Sequence, residues 1–231
     1  MVEIKGLQKT SLIDYPDRVS CIVFLPGCNF RCPYCQNPDL IKKPDKLPAL
    51  PEKKFFTFLE KRKKVLDGVV ITGGEPTLSK DLPEFIRKIK SRGLLVKLDT
   101  NGSSPGVLEK LLKEGLLDYI AMDIKAPLDK YDDAAGVNVD KEKIKKSINI
   151  IKNSGVDYEF RTTVVPRLLS LEDLIKIGEE LKRAKKYVLQ QFRPLVTLDR
   201  AYQKERPYPK EKLMEIAERI KPFFGKVEVR A

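Results

Sequence analysis

Three cysteines lie close together near the start of the chain and suit metal chemistry. Residues 27–38 read GCNFRCPYCQNP, so that Cys28, Cys32 and Cys35 are separated by three and two residues. Thiolates are soft ligands for zinc and for iron–sulfur clusters, and both kinds of site usually take four ligands. Three thiolates on a four-iron cluster leave one iron open, and an open coordination position is typical of a catalytic metal rather than a structural one.

The fourth cysteine of the chain, Cys21, is the only candidate for a fourth thiolate ligand. It lies in a predicted strand, SCIVFL at 20–25, and shares its alternating face with Val23 and Leu25. A thiol in that position packs as a small hydrophobic group. We therefore favour an open cluster with three cysteine ligands, and keep structural zinc or a closed electron-transfer cluster as alternatives.

Composition narrows the class of protein further. The 231 residues contain no histidine, which excludes nucleophiles activated by imidazole, and they carry a net charge of +12. The basic runs fall in helical patterns and lack interleaved aromatic residues, so we expect solvated helix faces, keep a surface for an acidic protein partner as an alternative, and favour a nucleic-acid partner least. The amino terminus resembles no signal peptide and no apolar run is long enough to span a membrane, which predicts a cytoplasmic protein without a membrane partner.

The cysteines must be positioned by an alternation of strands and helices. Amphipathic segments separate six apolar runs, which predicts a parallel α/β sheet in a single domain over 1–231. Ser104-Pro105 predicts a helix start, and Ser170 with Asp173 predicts a capping box. The strand candidates are 20–25, 68–72, 94–99, 118–124, 158–165 and 187–192, and VEIKGLQ at the amino terminus and KVEVR at the carboxyl terminus predict additional edge strands.

Unusual residues follow these strands one after another. After the cysteines come GGEP (73–76), DTNG (99–102), MDIKAP (122–127) and QFRP (191–194). The carboxyl ends of parallel strands share one face, where active sites form. Each motif alone could be turn chemistry, but their common position predicts that they converge on one pocket.

These residues resemble a known family. Cys28-x3-Cys32-x2-Cys35, with Tyr34 before the last cysteine, resembles the signature of the radical S-adenosylmethionine superfamily. That resemblance implies a partial (β/α)6 TIM-like barrel with mostly parallel strands and short edge strands at the termini. It also implies one 4Fe-4S cluster held by the three catalytic cysteines, with S-adenosylmethionine on the open iron. Reductive cleavage then yields a 5′-deoxyadenosyl radical that abstracts hydrogen from the substrate.

Longer stretches resemble one branch of that superfamily. Residues 24–38 look like the glycyl-radical-enzyme activating branch, and KTSLIDYP (9–16) is similar to the activating proteins of anaerobic ribonucleoside-triphosphate reductase. Two residues depart from that pattern: Asp17 stands where those proteins usually carry glycine, and Gln36 where histidine is common.

The resemblance implies the residues that bind S-adenosylmethionine. GGEP would hold its amino group. Asp99 and Asp123 would lie near the ribose and the carboxylate of the methionine, where a monovalent cation can bind. Arg161 would bind the carboxylate, although it could instead form a structural ion pair, and Asp99 could merely cap a turn. The implied cofactor-binding residues are Tyr34, which would contact adenine, Gly73, Gly74, Glu75, Pro76, Asp99, Thr100, Asn101, Asp123, Lys125, Arg161 and Gln191.

The function predicted from this resemblance is that of a radical S-adenosylmethionine activating enzyme. It would generate a glycyl radical on a partner enzyme, with anaerobic ribonucleotide reductase favoured, and take electrons from a ferredoxin- or flavodoxin-type donor. One alternative is a radical enzyme acting on a small molecule or RNA base, similar to 7-carboxy-7-deazaguanine synthase. A non-catalytic zinc or electron-transfer module is another, but such a module would need no cofactor pocket.

Overall fold

The structure, a computed structural model, describes all residues from 1 to 231 and contains eight strands. Their bounds are β1 Gly6–Ser11, β2 Ser20–Leu25, β3 Gly68–Gly73, β4 Leu95–Thr100, β5 Tyr119–Asp123, β6 Asp157–Val164, β7 Ala184–Gln191 and β8 Phe224–Arg230. Of the pairs with a resolved register, only β1–β2 is antiparallel. The predicted α/β fold, with mostly parallel strands and an edge strand at each terminus, is confirmed.

Eight α-helices connect or follow the strands. They are α1 Pro38–Lys42, α2 Glu52–Arg62, α3 Leu82–Lys90, α4 Pro105–Lys113, α5 Tyr131–Ala135, α6 Lys141–Lys152, α7 Leu171–Glu180 and α8 Lys210–Ile220. The predicted start of α4 at Ser104-Pro105 is confirmed, and the capping box of Ser170 and Asp173 forms at α7. No helix is long and apolar enough to cross a membrane.

The chain divides into two compact units. The first unit comprises Met1–Asn29, Asp39–Thr100 and Ser104–Ile120, and the second comprises Phe30–Pro38, Asn101–Ser103 and Ala121–Ala231. In the first unit β1 to β4 are hydrogen-bonded in sequence order, and in the second unit so are β6 to β8. The single domain expected over 1–231 stays a prediction.

In the first unit, the parallel strands β2, β3 and β4 form the buried centre. Val69, Ile71 and Leu98 are fully buried, which explains the continuous apolar runs in the sequence. The register pairs Leu25, the last residue of β2, with Gly73, the last residue of β3. The loops that follow these two strands therefore begin side by side.

Cys21 is fully buried in β2, as predicted for a thiol that packs as a hydrophobic group. Burial raises the pKa of its thiol to about 12, so this cysteine stays protonated and is unsuited to metal ligation.

In the second unit, β6, β7 and β8 are parallel and share a buried ionic contact. The guanidinium of Arg230 donates to both carboxylate oxygens of Glu159 at 2.7 Å, and the Nζ of Lys186 lies 3.1 Å from the same carboxylate. Glu159 is fully buried, so this pairing holds one residue from each strand together. The register pairs Val164 with Gln191 at the carboxyl ends of β6 and β7.

Candidate cofactor site

The cysteine-rich segment begins directly after β2. Cys28 belongs to the first unit, where the amide of Gly27 donates to the carbonyl of Leu40 at 2.8 Å. Cys32 and Cys35 belong to the second unit, and the amide of Cys35 donates to the carbonyl of Cys32 at 3.0 Å. None of the cysteines forms a disulfide, so the thiols remain available for ligation.

The GGEP segment lies against the start of this cysteine loop. The amide of Gly74 donates to the carbonyl of Leu25 at 2.9 Å, and the amide of Glu75 donates to the carbonyl of Gly27 at 2.8 Å. A Cβ atom on Gly74 would overlap the carbonyl oxygen of Gly27 and lie 3.3 Å from the Cβ of Cys28. Only glycine permits this close approach, and it brings the predicted GGEP motif next to Cys28.

Glu75 is 1% exposed, and its Oε1 accepts several hydrogen bonds. The Thr77 amide donates to Oε1 at 3.1 Å and the Thr77 hydroxyl at 2.5 Å, while the hydroxyl of Thr100 donates at 2.7 Å. The carboxylate therefore links the GGEP segment to the end of β4. Thr77 was not predicted from the sequence, although a threonine two residues after a glutamate could have signalled this capping contact.

Asp99 has a cationic partner, Lys97, that was not predicted from the sequence. The Nζ of Lys97 lies 2.5 Å from Oδ1 of Asp99, and the Lys97 side chain is 1% exposed. The signal available was a lysine inside the apolar run LLVKLD, because a buried lysine needs an anionic partner. The sequence also allows Asp99 to cap the turn after β4. Asn101 makes that capping bond instead: its Oδ1 accepts a hydrogen bond from the amide of Ser103 at 2.9 Å, within the second unit.

The second unit brings together three predicted residues. The Nε of Arg161 donates to Oδ1 of Asp123 at 2.9 Å, and the Nζ of Lys125 donates to Oδ2 at 3.2 Å. Burial raises the pKa of Asp123, but the charges of Arg161 and Lys125 outweigh it and leave that pKa below its usual value. The carboxylate is therefore ionised, and two cations around one anion leave the group with a net positive charge.

Cys32 and Tyr34 lie beside this group. Burial lowers the pKa of Lys125, but the negative charge of Asp123 first, and that of a Cys32 thiolate second, raise it well above its ordinary value. The pKa of the Tyr34 hydroxyl is also raised, by burial above all and then by Cys32. Both shifts place the sulfur of Cys32 within electrostatic reach of Lys125 and Tyr34. Tyr131, not predicted from the sequence, donates to the carbonyl of Asp123 at 3.4 Å.

Two other predicted features have different surroundings. The Gln191 side chain donates to the carbonyl of Tyr208 at 3.0 Å, within the second unit. KTSLIDYP begins with the last three residues of β1 and continues beyond it, and Ser11 pairs with Ser20 at the amino end of β2. In the first unit this segment therefore lies at the end of β2 opposite to the cysteine loop, with Leu12 and Ile13 exposed.

The donor set fits an iron–sulfur cluster. The segment 27–38 contains three thiols and no carboxylate or imidazole that would compete with them. No group of three or more His, Cys, Asp or Glu side chains is arranged to hold a single metal ion. In a cluster, each thiolate binds a different iron, so the sulfurs need not converge on one point. That the residues of the two units form one site stays a prediction.

The monovalent cation stays a prediction, and the electrostatic argument for expecting it is weaker in this structure. The expectation rested on two carboxylates that would repel an anionic ligand. Asp99 is paired with Lys97, and Asp123 with Arg161 and Lys125, so the chain supplies its own countercharge.

Comparison with known proteins identifies the class. The model of the radical SAM superfamily matches residues 22–181, well over half of the chain, and the protein therefore belongs to that superfamily. The Methanocaldococcus jannaschii protein named "Putative glycyl-radical enzyme activating enzyme MJ1227" is 38% identical over 98% of this chain and 95% of its own length. The pyruvate formate-lyase-activating enzyme of Clostridium pasteurianum is 28% identical over 86% of this chain and 84% of its own. The chain is thus a radical SAM enzyme homologous to glycyl-radical enzyme activating enzymes.

Solved structures agree in fold. Streptococcus suis SuiB bound to S-adenosylmethionine matches with a TM-score of 0.69 and 17% identity, covering 91% of this chain and 52% of SuiB. A domain of pyruvate-formate lyase-activating enzyme from Bacteroides vulgatus matches with a TM-score of 0.58 and 14% identity, covering 71% of this chain and 99% of that domain. The chain spans about half the length of SuiB, and at these identities the likeness shows the fold alone.

Proposed function

We propose that this protein activates a glycyl radical enzyme, and that anaerobic ribonucleoside-triphosphate reductase is its partner. Cys28, Cys32 and Cys35 would hold one 4Fe-4S cluster, and S-adenosylmethionine would bind beside it. When bound, the reduced cluster would supply the electron that cleaves S-adenosylmethionine, and the resulting 5′-deoxyadenosyl radical would take a hydrogen atom from a glycine of the partner. The homologous activating enzymes and the motif at 24–38 support the class, and KTSLIDYP supports the partner.

The observation that carries the proposal is the positive group beside Cys32. Lys125 and Arg161 flank the one carboxylate of Asp123, and the whole group is at most partly exposed. A buried group with excess positive charge favours an anionic ligand, and the carboxylate of S-adenosylmethionine is such a ligand. A structural zinc module or a simple electron carrier has no need of this group.

In this proposal the residues of each unit have separate tasks. GGEP would offer backbone carbonyls to the ammonium group of the cofactor, because its glycines let the backbone approach closely. Lys125 and Arg161 would bind the carboxylate, and Asp123 would orient both. The buried Tyr34 would help to keep water from the cluster.

The first experiment tests the radical chemistry. Protein reconstituted anaerobically, reduced with dithionite and given S-adenosylmethionine should release 5′-deoxyadenosine. The Cys32→Ala variant should release none, whereas Cys21→Ala should retain the activity because Cys21 lies buried inside β2. Absence of product from the unmodified protein would contradict the proposal.

The second experiment tests the partner. Mixing the reduced protein with S-adenosylmethionine and anaerobic ribonucleotide reductase from the same source should give a protein-centred radical by electron paramagnetic resonance. Replacing the radical-bearing glycine of the reductase with alanine should abolish the signal. If 5′-deoxyadenosine forms but no glycyl radical enzyme gains a radical, the substrate is a small molecule or an RNA base instead.

A further inference from the structure

The segment that follows β7 is fixed against the cysteine loop. The Nε2 of Gln36 donates to the carbonyl of Arg193 at 2.9 Å, and the amide of Asp199 donates to the carbonyl of Pro33 at 2.9 Å. All four residues belong to the second unit. Because residues 33 and 36 flank the segment that contains Cys35, the post-β7 loop, residues 193–206, lies next to a proposed cluster ligand.

The post-β7 loop is held by its own contacts. The Thr197 hydroxyl donates to the carbonyl of Asp199 at 2.7 Å, and the Asp199 carboxylate caps a short 3-10 helix by accepting from the amide of Ala201 at 2.9 Å. Tyr202, a residue of the loop, is 7% exposed, and the guanidinium of Arg167 lies 5.1 Å from the centre of its ring. The loop therefore presents a defined outer surface.

That outer surface combines apolar and basic side chains. Leu195 is 83% exposed and Val196 is 50% exposed, although both side chains would be more stable when covered. This surface has more cations than carboxylates. One of the carboxylates, that of Asp199, accepts the capping hydrogen bond from Ala201. The exposed cations are Arg167, Arg193, Arg200, Lys204 and Arg206, and the carboxylates near them are Asp133, Asp199 and Glu205.

We propose that the post-β7 loop is the docking surface for an acidic one-electron carrier protein. This inference rests on the proposed function, because the cluster must take up one electron while the carrier loses one. With Cys21 buried, the chain has no cysteines for a second cluster, so the electron has to arrive from outside. Electron transfer weakens steeply with distance, which favours a surface that contacts the cysteine loop directly.

The chemistry of the surface fits such a carrier. Redox encounters are transient, bury little area and are steered by opposite charges. Basic side chains around two exposed apolar residues provide both the steering and a small dry contact. A glycyl radical enzyme, by contrast, would be expected to form a larger interface.

The experiment measures the reduction of the loaded cluster by stopped-flow absorbance, with an acidic ferredoxin as the donor. Arg193→Glu with Arg200→Glu should lower the second-order rate about tenfold or more at low salt, and should flatten its dependence on ionic strength. Reduction by dithionite should change by no more than about threefold. Leu195→Ser, as a second variant, should weaken ferredoxin binding measured by calorimetry without reversing any charge.

The control is Lys63→Glu with Lys64→Glu, which makes the same change in net charge. Lys63 and Lys64 precede β3, whereas the cysteine loop follows β2. Because β2 and β3 are parallel, the two lysines and the start of the cysteine loop lie at opposite ends of these strands within the first unit. If both double variants lower the rate of reduction by ferredoxin equally, the proposal is overturned. It is also overturned if Arg193→Glu with Arg200→Glu lowers the rates of reduction by ferredoxin and by dithionite equally. If the unmodified protein with dithionite releases no 5′-deoxyadenosine, the proposed function fails as well.

Discussion

The Nε of Arg161 lies 2.9 Å from Oδ1 of Asp123, so a strand residue in the middle of β6 is tied to the last residue of β5. Lys125 contacts the other oxygen of the same carboxylate. The sequence alone is compatible with a structural role for Arg161, and this ion pair provides one. The excess positive charge of the three residues nevertheless supports a second role in binding an anion.

Replacing Lys125 should weaken the binding of S-adenosylmethionine. Lys125→Met removes one of two cations from the group, and a charge-assisted hydrogen bond contributes about 1.5–3 kcal/mol, so we expect the Kd to rise about 10- to 150-fold. Equilibrium titration of the reconstituted protein with S-adenosylmethionine measures this Kd. Lys176→Met is the control, because Lys176 pairs with Asp129 at an exposed site. An unchanged Kd for Lys125→Met would remove the electrostatic basis of the proposed site.

Gly74→Ala should damage the cysteine loop. Its Cβ would overlap the carbonyl oxygen of Gly27, so the backbone must shift, and overpacking costs about 1–3 kcal/mol. We expect a lower free energy of unfolding and less iron bound per chain after reconstitution. Gly106→Ala is the matched control, since a Cβ there meets no atom within 4 Å and the helix α4 favours alanine. Normal iron content in Gly74→Ala would show that the close approach is not needed.

The buried pair of Lys97 and Asp99 should couple strongly. Lys97→Met leaves the carboxylate of Asp99, 13% exposed, without this cation, and breaking a buried pair costs about 3–5 kcal/mol. Urea unfolding of Lys97→Met, Asp99→Asn and the double variant should give an interaction energy above about 1 kcal/mol. The surface pair of Lys113 and Glu109 should give about 0.5 kcal/mol or less. Similar values for the two pairs would contradict this expectation.

The sequence predicted those features that depend on local patterns. The apolar run at 20–25 coincides with β2, and Ser170 with Asp173 caps α7, because burial alternation and capping are encoded in neighbouring residues. The adjacency of GGEP to Cys28 could also be predicted, since parallel strands bring their carboxyl ends together.

Contacts between distant residues could not be predicted in the same way. Gln36 reaches the carbonyl of Arg193 across 157 positions, and no periodicity in the sequence relates the two. The pairing of Lys97 with Asp99 was missed for another reason: both fall in an apolar run whose hydrophobic pattern defines the strand but not the partner of a buried charge.

Asp17 has a backbone conformation that glycine adopts more easily than other residues. Its φ is +59°, in the left-handed region, where glycine is free of strain and aspartate is tolerated better than alanine. We expect stability in the order Gly, Asp, Ala at position 17, with about 1 kcal/mol between Asp17→Gly and Asp17→Ala. Arg183, with φ +69°, should show the same preference for glycine over alanine. Equal stability of the two Asp17 variants in urea unfolding would refute the backbone explanation.

Asp173 should make the stability of α7 depend on pH. Burial raises the pKa of its carboxyl, but the amide and hydroxyl of Ser170 and the ammonium of Lys130 outweigh burial, and the pKa is lowered. A carboxyl whose pKa is lower in the folded state stabilises the fold above its unfolded pKa of about 3.9. That contribution is lost as the pH falls through the folded pKa.

The test compares the unmodified protein with Asp173→Asn, both prepared without iron. Urea unfolding at pH 6 should show the variant less stable by about 1 kcal/mol, the usual contribution of a helix cap. At about pH 3 and below, the difference in the free energy of unfolding should shrink. Protonation then removes the negative charge of Asp173 from the unmodified protein, and the variant lacks that charge at every pH. Lys130→Met should show a smaller loss at pH 6, since the amide of Ser170 still donates to the carboxylate of Asp173. A difference that stays constant from pH 6 to pH 2.5 would mean that the charge of Asp173 does not stabilise α7.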